Sequence, residues 1–224
     1  MSLKKVFKLL PLMYLIFVLS IFILATALNR SDAIGLFILF NISFFAYTWI
    51  CKFEYSFKSI LVLGIIVRCL LFYDLPNLSD DFYRFFWDGA LIHEGINPYS
   101  FLPKQVTEMG FSKFSHKALS QLNSSKYATV YPPLNQFFFW LSTFTVKPLW
   151  SAGILRIFLF LTDISSTLLI SKLKTKKNLS SWFFLNPLLI IEGVGNIHLE
   201  SMMIFFLILA LYFISKNKFV KAGF

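Results

Sequence analysis

Apolar residues fall in six nearly unbroken runs, 9–28, 33–51, 59–74, 150–171, 179–193 and 201–215. About 20 consecutive apolar residues cross the hydrocarbon core of a bilayer, which is about 30 Å thick. The runs therefore predict six membrane-spanning helices. A seventh apolar stretch, 131–146, reads YPPLNQFFFWLSTFTV; its 16 residues are short for a span, and it opens with Tyr131-Pro132-Pro133. Residues 75–130 form a long polar loop without a span. No internal repeat and no soluble domain is evident. The predicted fold class is an all-α polytopic membrane protein, a helical bundle of about six spans plus a re-entrant or interfacial helix.

Lysines set the sidedness. The N-terminus carries Lys4, Lys5 and Lys8, the 51–58 turn carries Lys52 and Lys58, the 171–178 turn carries four lysines, and the final KNKFVKAGF carries three. Short cytoplasmic loops concentrate Lys and Arg. A full crossing by 131–146 would export the 171–178 cluster. If that stretch dips in and returns, all four clusters lie in the cytoplasm. The expectation is a cytoplasmic N-terminus, with the 75–130 loop and the 193–200 turn both outside. The chain then divides into 1–74 (three spans), 75–130 (outer catalytic loop), 131–146 (re-entrant or interfacial helix) and 147–224 (three further spans). Broken backbone at membrane depth survives only when buried in protein or lining a wet cavity. A short helix beside a charged loop thus predicts a cavity.

Composition agrees with the pattern. The 224 residues are 57% hydrophobic and only 14% charged, against about 25% charged in a soluble domain. The net charge of +10 does not imply nucleic-acid binding, because the basic residues are short flanks beside apolar runs. The N-terminal segment could pass for a signal peptide. Its apolar run of 9–28 exceeds the usual h-region of about 7–15 residues, so it is read as a retained first span. Cys51 and Cys69 fall towards opposite faces on this topology, which argues against a disulfide and for two thiols packed as small apolar groups.

Chemistry gathers in two polar clusters. The first, LSDDFYRFFWDG at 78–89, places Asp80, Asp81, Arg84 and Asp88 among aromatics where the third run ends. Ser79 is expected to cap a helix there. Phe82, Phe85, Phe86 and Leu91 recur at roughly helical spacing, which predicts an amphipathic helix lying in the outer headgroup layer with its aromatics in lipid. Adjacent carboxylates at the boundary suit a general base, or hard oxygen ligands for Mg²⁺ or Mn²⁺. The second cluster, NPLLIIEGVGNIHLESMM at 186–203, brings Glu192, Asn196, His198 and Glu200 abruptly into apolar sequence. Ionisable residues at such depth are expensive and by default functional. Inside the spans, Arg156 and Asp163 are seven apart on one stripe, and Arg68 stands alone in the third run. Each has a structural reading and a functional one, in which the arginines hold an anionic group.

The sequence SDDFYRFFWDG…EGINPY, then YPPLNQ, then NPLLIIEGVGNIHLE resembles the polytopic GT-C glycosyltransferases. Among them it resembles bacterial polyprenol-phosphate-mannose-type mannosyltransferase relatives, with a more distant similarity to the catalytic subunit of the first glycosylphosphatidylinositol mannosyltransferase. The resemblance covers about residues 75–215. It implies a hexosyl transfer, mannose favoured, at the outer face of a bacterial inner membrane. The donor would be a polyprenyl-phosphate sugar and the acceptor a lipid or glycan. Asp80 or Asp81 would carry the catalytic carboxylate. The Asn196, His198 and Glu200 segment would line the same pocket. Independently of the resemblance, the chemistry of transfer from a phosphate makes Arg84, Arg156, Arg68 and His198 candidates to face the phosphate, with Asp88 and Tyr131 as further substrate-binding candidates. Such relatives are usually longer, so a C-terminally truncated product is expected.

Two rival readings are a transporter or flippase of lipid-linked sugars and a non-catalytic membrane subunit. A transporter should show paired repeats with matching interruptions, and none is evident. Transfer chemistry demands that the aspartates and the Asn-x-His-x-Glu segment meet over one water-poor hollow.

Overall fold

A computed structural model describes residues 3–54, 56–110, 121–145, 147–173 and 178–223. Residues 111–120 of the predicted outer loop and most of the 171–178 lysine cluster lie outside the described residues. The elements are α1 (Leu3–Thr26), α2 (Ala33–Phe53), α3 (Phe57–Leu70) with a 3-10 turn (Leu71–Tyr73), α4 (Asp81–His93), α5 (Pro103–Glu108) and α6 (Pro133–Ser142). There follow α7 (Pro148–Lys172), α8 (Leu179–Phe184), a π-helical turn (Leu189–Gly195), α9 (Glu200–Ser215) and α10 (Phe219–Ala222). No strand occurs among the described residues.

Local chemistry places the helix ends. Asp32 accepts from the Gly35 amide at 2.9 Å and starts α2; Ser56 accepts from the Ser59 amide at 3.3 Å and starts α3. Both α6 and α7 begin on a proline, where the missing N–H would have had no intrahelical partner anyway. After α8, Asn186-Pro187 interrupts the ladder, since proline donates no hydrogen bond. The chain resumes, widens into the π turn, and bends by 114° into α9.

Among the described residues three helices are long and apolar enough to cross a membrane: Lys8–Thr26, Ala33–Phe53 and Pro148–Lys172. The bent pair Leu189–Gly195 and Glu200–Ser215 makes a fourth if counted as one span. Two predicted spans therefore have a different form. The 59–74 run is a 14-residue α-helix that tightens into 3-10 geometry at its C-terminal end. The 179–193 run is broken at Pro187 and is not one straight helix. The stretch 131–146 contains a helix of 10 residues, about 15 Å long, which cannot cross by itself.

α1 packs along α2, α7 along α9, and α4 against α6. Phe17, Ile21, Ile50, Val67, Leu159 and Phe184 centre the core. Two glycines set the closest approaches. A Cβ on Gly64 would stand 2.4 Å from the Phe184 ring, and one on Gly89 would stand 2.3 Å from the Phe139 carbonyl oxygen. α4 and α6 thus meet backbone to backbone. This corrects the expectation that α4 immerses its aromatics in lipid. Phe82, Phe85 and Trp87 are buried in protein, and Phe85 stacks on Phe139 with centroids 4.5 Å apart. α6 supplies the apolar cover that lipid was expected to provide, and turns Leu134 and Phe137 outward instead. Cys51 is buried and Cys69 exposed, both as free thiols.

Candidate active site

α4 begins where the core gives way to the 75–130 loop, and its first residue, Asp81, is only partly buried. The expected Ser79 cap takes a tighter form: its hydroxyl accepts from the Asp81 amide at 3.3 Å, and Asp80 holds the N-cap position without a side-chain bond. Asp80 pairs with Arg30 from the α1–α2 loop. Asp81 turns the other way. Its Oδ1 accepts from Asn123 Nδ2 at 3.0 Å, and its Oδ2 lies 3.7 Å from His198 Nε2.

His198 reaches Asp81 from the far end of the sequence because of how the chain leaves the π turn. Ile197 adopts a left-handed φ of 62°, which costs a β-branched residue about 1–3 kcal/mol. Its fully buried side chain holds that conformation. The turn folds back so that the His198 amide donates to the Glu192 carbonyl at 2.9 Å. His198 Nδ1 lies 2.9 Å from Glu192 Oε2, and Asn196 Nδ2 donates to the same oxygen at 3.3 Å. The other ring nitrogen faces Ser79 Oγ at 3.1 Å.

With carboxylates at both ring nitrogens, the imidazolium is favoured. The Glu192 hydrogen bond raises the His198 pKa above 6.5, burial opposes it, and the charges of Glu192, Glu200 and Asp81 add to the rise. A raised folded pKa gives stability that is complete below the unfolded value and is lost as pH rises through the folded one. Thermal unfolding should therefore show a midpoint that falls between neutral and alkaline pH. His198→Gln should flatten that slope; an unchanged slope would refute the charged pair.

A cleft of about 390 Å³ opens beside Asp81, lined among others by Arg84, Asn123, Tyr127, Thr129 and Tyr131. Its floor is an ordered polar network. Arg84 Nε donates to Asp88 Oδ1 at 2.7 Å, and its Nη1 donates to the carbonyls of Tyr127 at 2.9 Å and Ser124 at 3.3 Å. Asp88 Oδ2 accepts from Gln136 Nε2 at 2.9 Å. The pair Arg84–Asp88 is buried, so each charge needs the other. Burial raises the Tyr131 pKa, and Asp81, Asp88 and Glu200 raise it further; its phenol stays a neutral donor at the cleft.

Residues 32–224 match the family model described as "Alpha-(1->6)-mannopyranosyltransferase, N-terminal domain". The chain belongs to this family. It is a mannosyltransferase of GT-C type and an enzyme, and its apolar helices make it a membrane protein. No curated protein and no solved structure matches it significantly.

In this mannosyltransferase Asp81, Asn196, His198, Glu200, Tyr131, Arg84 and Asp88 gather around the N-terminal half of α4. Asn196 is buried and bound to Glu192, whereas Glu200 is exposed at the start of α9. Arg156 and Arg68 lie elsewhere. Arg156 does not pair with Asp163 along its own helix. Its Nε donates to the Val194 carbonyl at 3.0 Å, its Nη2 to Gly195 at 2.9 Å, and its Nη1 to Asp74. The partner of Asp163 is Arg68, with Nη2 at 2.9 Å from Oδ2. Helical spacing within α7 hid that pairing, because the true partner comes from α3.

Among the described residues no group of three His, Cys, Asp or Glu is placed to hold a metal ion. Asp80 and Asp81 face different partners, an arginine and an amide with an imidazole. That donor set does not suit Mg²⁺ or Mn²⁺, which want several oxygens on one point. Asn123, Gln136 and Arg30 were not singled out in the sequence. Glu192 was visible in its polar cluster, and its i,i+4 spacing to Asn196 was the signal for its role.

Proposed function

We propose that this chain moves mannose from a polyprenyl-phosphate donor to a lipid or glycan hydroxyl at the outer face of a bacterial plasma membrane. Asp81 acts as the general base. The observation that carries this reading is the approach of His198 to within 3.7 Å of Asp81, which itself lines a cleft of about 390 Å³. Clefts of roughly 300–1,000 Å³ hold small ligands. Asp81 Oδ1 is fixed by Asn123, and Oδ2 is free to take the acceptor proton. The His198 imidazolium, held by Glu192, offers positive charge to the departing phosphate, while Arg84, its charge balanced by Asp88, holds the cleft wall in place through the Tyr127 and Ser124 carbonyls. Asp80 flanks the site through Arg30, and Glu200 and Tyr131 border it with hydrogen-bonding groups. Arg156 clamps the carbonyls of Val194 and Gly195 to that of Asp74, and so joins the segment leading to Asp81 with the one leading to His198.

The lysine clusters support a cytoplasmic N-terminus, and in this reading α3, the broken α8–π segment and α9 complete the bundle. The 75–130 loop acts as the catalytic loop, and α6 lies in the outer interface. Two measurements test the proposal. Membranes containing the chain should transfer label from polyprenyl-phosphate mannose and not directly from a nucleotide-activated mannose. In intact cells, a cysteine placed at Ser124 should react with an impermeant thiol reagent, while one at Lys58 should react only after permeabilisation. The opposite labelling pattern would put the cleft on the wrong side for this donor.

A further inference from the structure

A second cleft, of about 350 Å³, lies between α1 and α3, far along the chain from the Asp81 cleft. Tyr14 lines it from α1; Lys58, Ser59, Val62, Leu63 and Ile66 line it from α3. The polar members of the α3 wall sit together at the start of that helix, and the apolar members follow one and two turns later. Val62 and Ile66 are 48% and 47% exposed, so the trough opens to the surroundings of the bundle. From Lys58 to Ile66 the helix rises about 12 Å. One leaflet of the hydrocarbon core is about 15 Å deep, half of about 30 Å.

The charge at the head of the trough lacks a partner within the chain. Glu54 is the acid nearest to Lys58 in sequence, and its carboxylate is engaged elsewhere. One oxygen accepts from the Tyr14 hydroxyl, and the other accepts from the Ser56 amide at 2.7 Å. Among the described residues Lys58 makes no ion pair. Glu54 does not line the cleft, so Lys58 is the one formal charge on its wall. A cation with a hydroxyl beside it, at the mouth of an apolar trough one leaflet deep, is complementary to an anionic head carrying a hydrocarbon tail.

Two other anions fit less well. Free phosphate would satisfy Lys58 and leave the trough of Val62, Leu63 and Ile66 empty. The lipid-linked sugar donor is at the wrong end: Asp81 follows the C-terminal end of α3, and the 14 residues of that helix span about 21 Å. A sugar on a phosphate at Lys58 would not reach Asp81.

We infer that the groove between α1 and α3 holds one acyl chain of an anionic glycerophospholipid, with its phosphate on Lys58 and the Ser59 hydroxyl. Anionic lipids are attracted by lysines at the membrane surface in any case; the groove turns that general attraction into a defined seat. From the proposed function the inference takes only that the 51–58 turn lies at a membrane face.

The test titrates the full chain in detergent with phosphatidylglycerol, phosphatidylcholine and inorganic phosphate, and counts bound lipid by native mass spectrometry. Phosphatidylglycerol should bind about tenfold more tightly than phosphatidylcholine, the size expected of one charge-assisted hydrogen bond. Inorganic phosphate at the same concentration should not displace it. Lys58→Ala should abolish the preference. Lys52→Ala removes an exposed lysine of the same turn that does not line the groove, and should keep it. Val62→Trp and Ile66→Trp fill the trough from exposed positions and should release the lipid with Lys58 still in place. Equal affinity for the two lipids, an equal loss in Lys52→Ala and Lys58→Ala, or lipid retained in both tryptophan variants would overturn the inference. Displacement by inorganic phosphate would also overturn it, by reducing the site to its head. The cysteine labelling described above reports separately on orientation: a residue 58 labelled from outside, with the preference intact, would strike the proposed topology and uphold the lipid seat.

Discussion

Asp81→Asn should lower mannosyl transfer by about 10²–10⁴-fold, the usual contribution of a positioned base, with the protein still folded. The substitution keeps the shape of the side chain, and Asn123 can still hydrogen-bond an amide oxygen at that place. What disappears is the ability to accept a proton beside His198. Asp80→Asn is the informative contrast. Asp80 faces Arg30, and the pair is 60% and 34% exposed, a surface contact that is worth little. Its loss should change transfer only a few-fold. Comparable losses in the two variants would show that the pair acts as a unit, and a larger loss in Asp80→Asn would transfer the role of base to the neighbour.

The largest stability effect should come from inside the bundle. Arg68→Ala leaves Asp163 buried without its counter-charge, and breaking one side of a buried pair costs about 3–5 kcal/mol. The geometry gives reason to expect the upper part of that range. Arg68 is fully buried, donates from Nε to Asp163 at 3.0 Å, and also donates to the Phe184 carbonyl at 3.0 Å. Its guanidinium lies over the Phe184 ring at 4.2 Å. One residue thus ties α3 to α7 and α8. The double change Arg68→Met with Asp163→Leu removes both charges at nearly constant volume, and such replacements are often neutral or better. Thermal unfolding in detergent should show a low midpoint for the single variant and recovery in the double. The double variant should also retain transfer, since Arg68 does not line the cleft beside Asp81. A folded but inactive double variant would return Arg68 to the substrate.

The sequence by itself determined the solvent of this protein. Runs such as 9–28 and 33–51 can be read without tertiary information, because each helix must satisfy its own backbone and cover itself with apolar side chains. The break at Pro187 in the fifth run has an equally local cause, since proline donates no hydrogen bond to the helix ladder. The polar clusters at 78–89 and 186–203 were legible too, since charge in apolar sequence is costly wherever it points. Only the tertiary structure decided the partners. Helical spacing set Arg156 beside Asp163, yet Arg68 from α3 takes that carboxylate. Periodicity gave the aromatics of α4 to lipid, yet the bare face of Gly89 lets α6 cover them. The sequence offered two adjacent aspartates as equals, and an arginine 50 positions earlier claims the first and leaves the second to His198. Pattern and spacing report what one segment does with its own neighbours and solvent. Which distant group meets a buried charge depends on how helices cross, and that is fixed by contacts between residues with no regular separation in the chain.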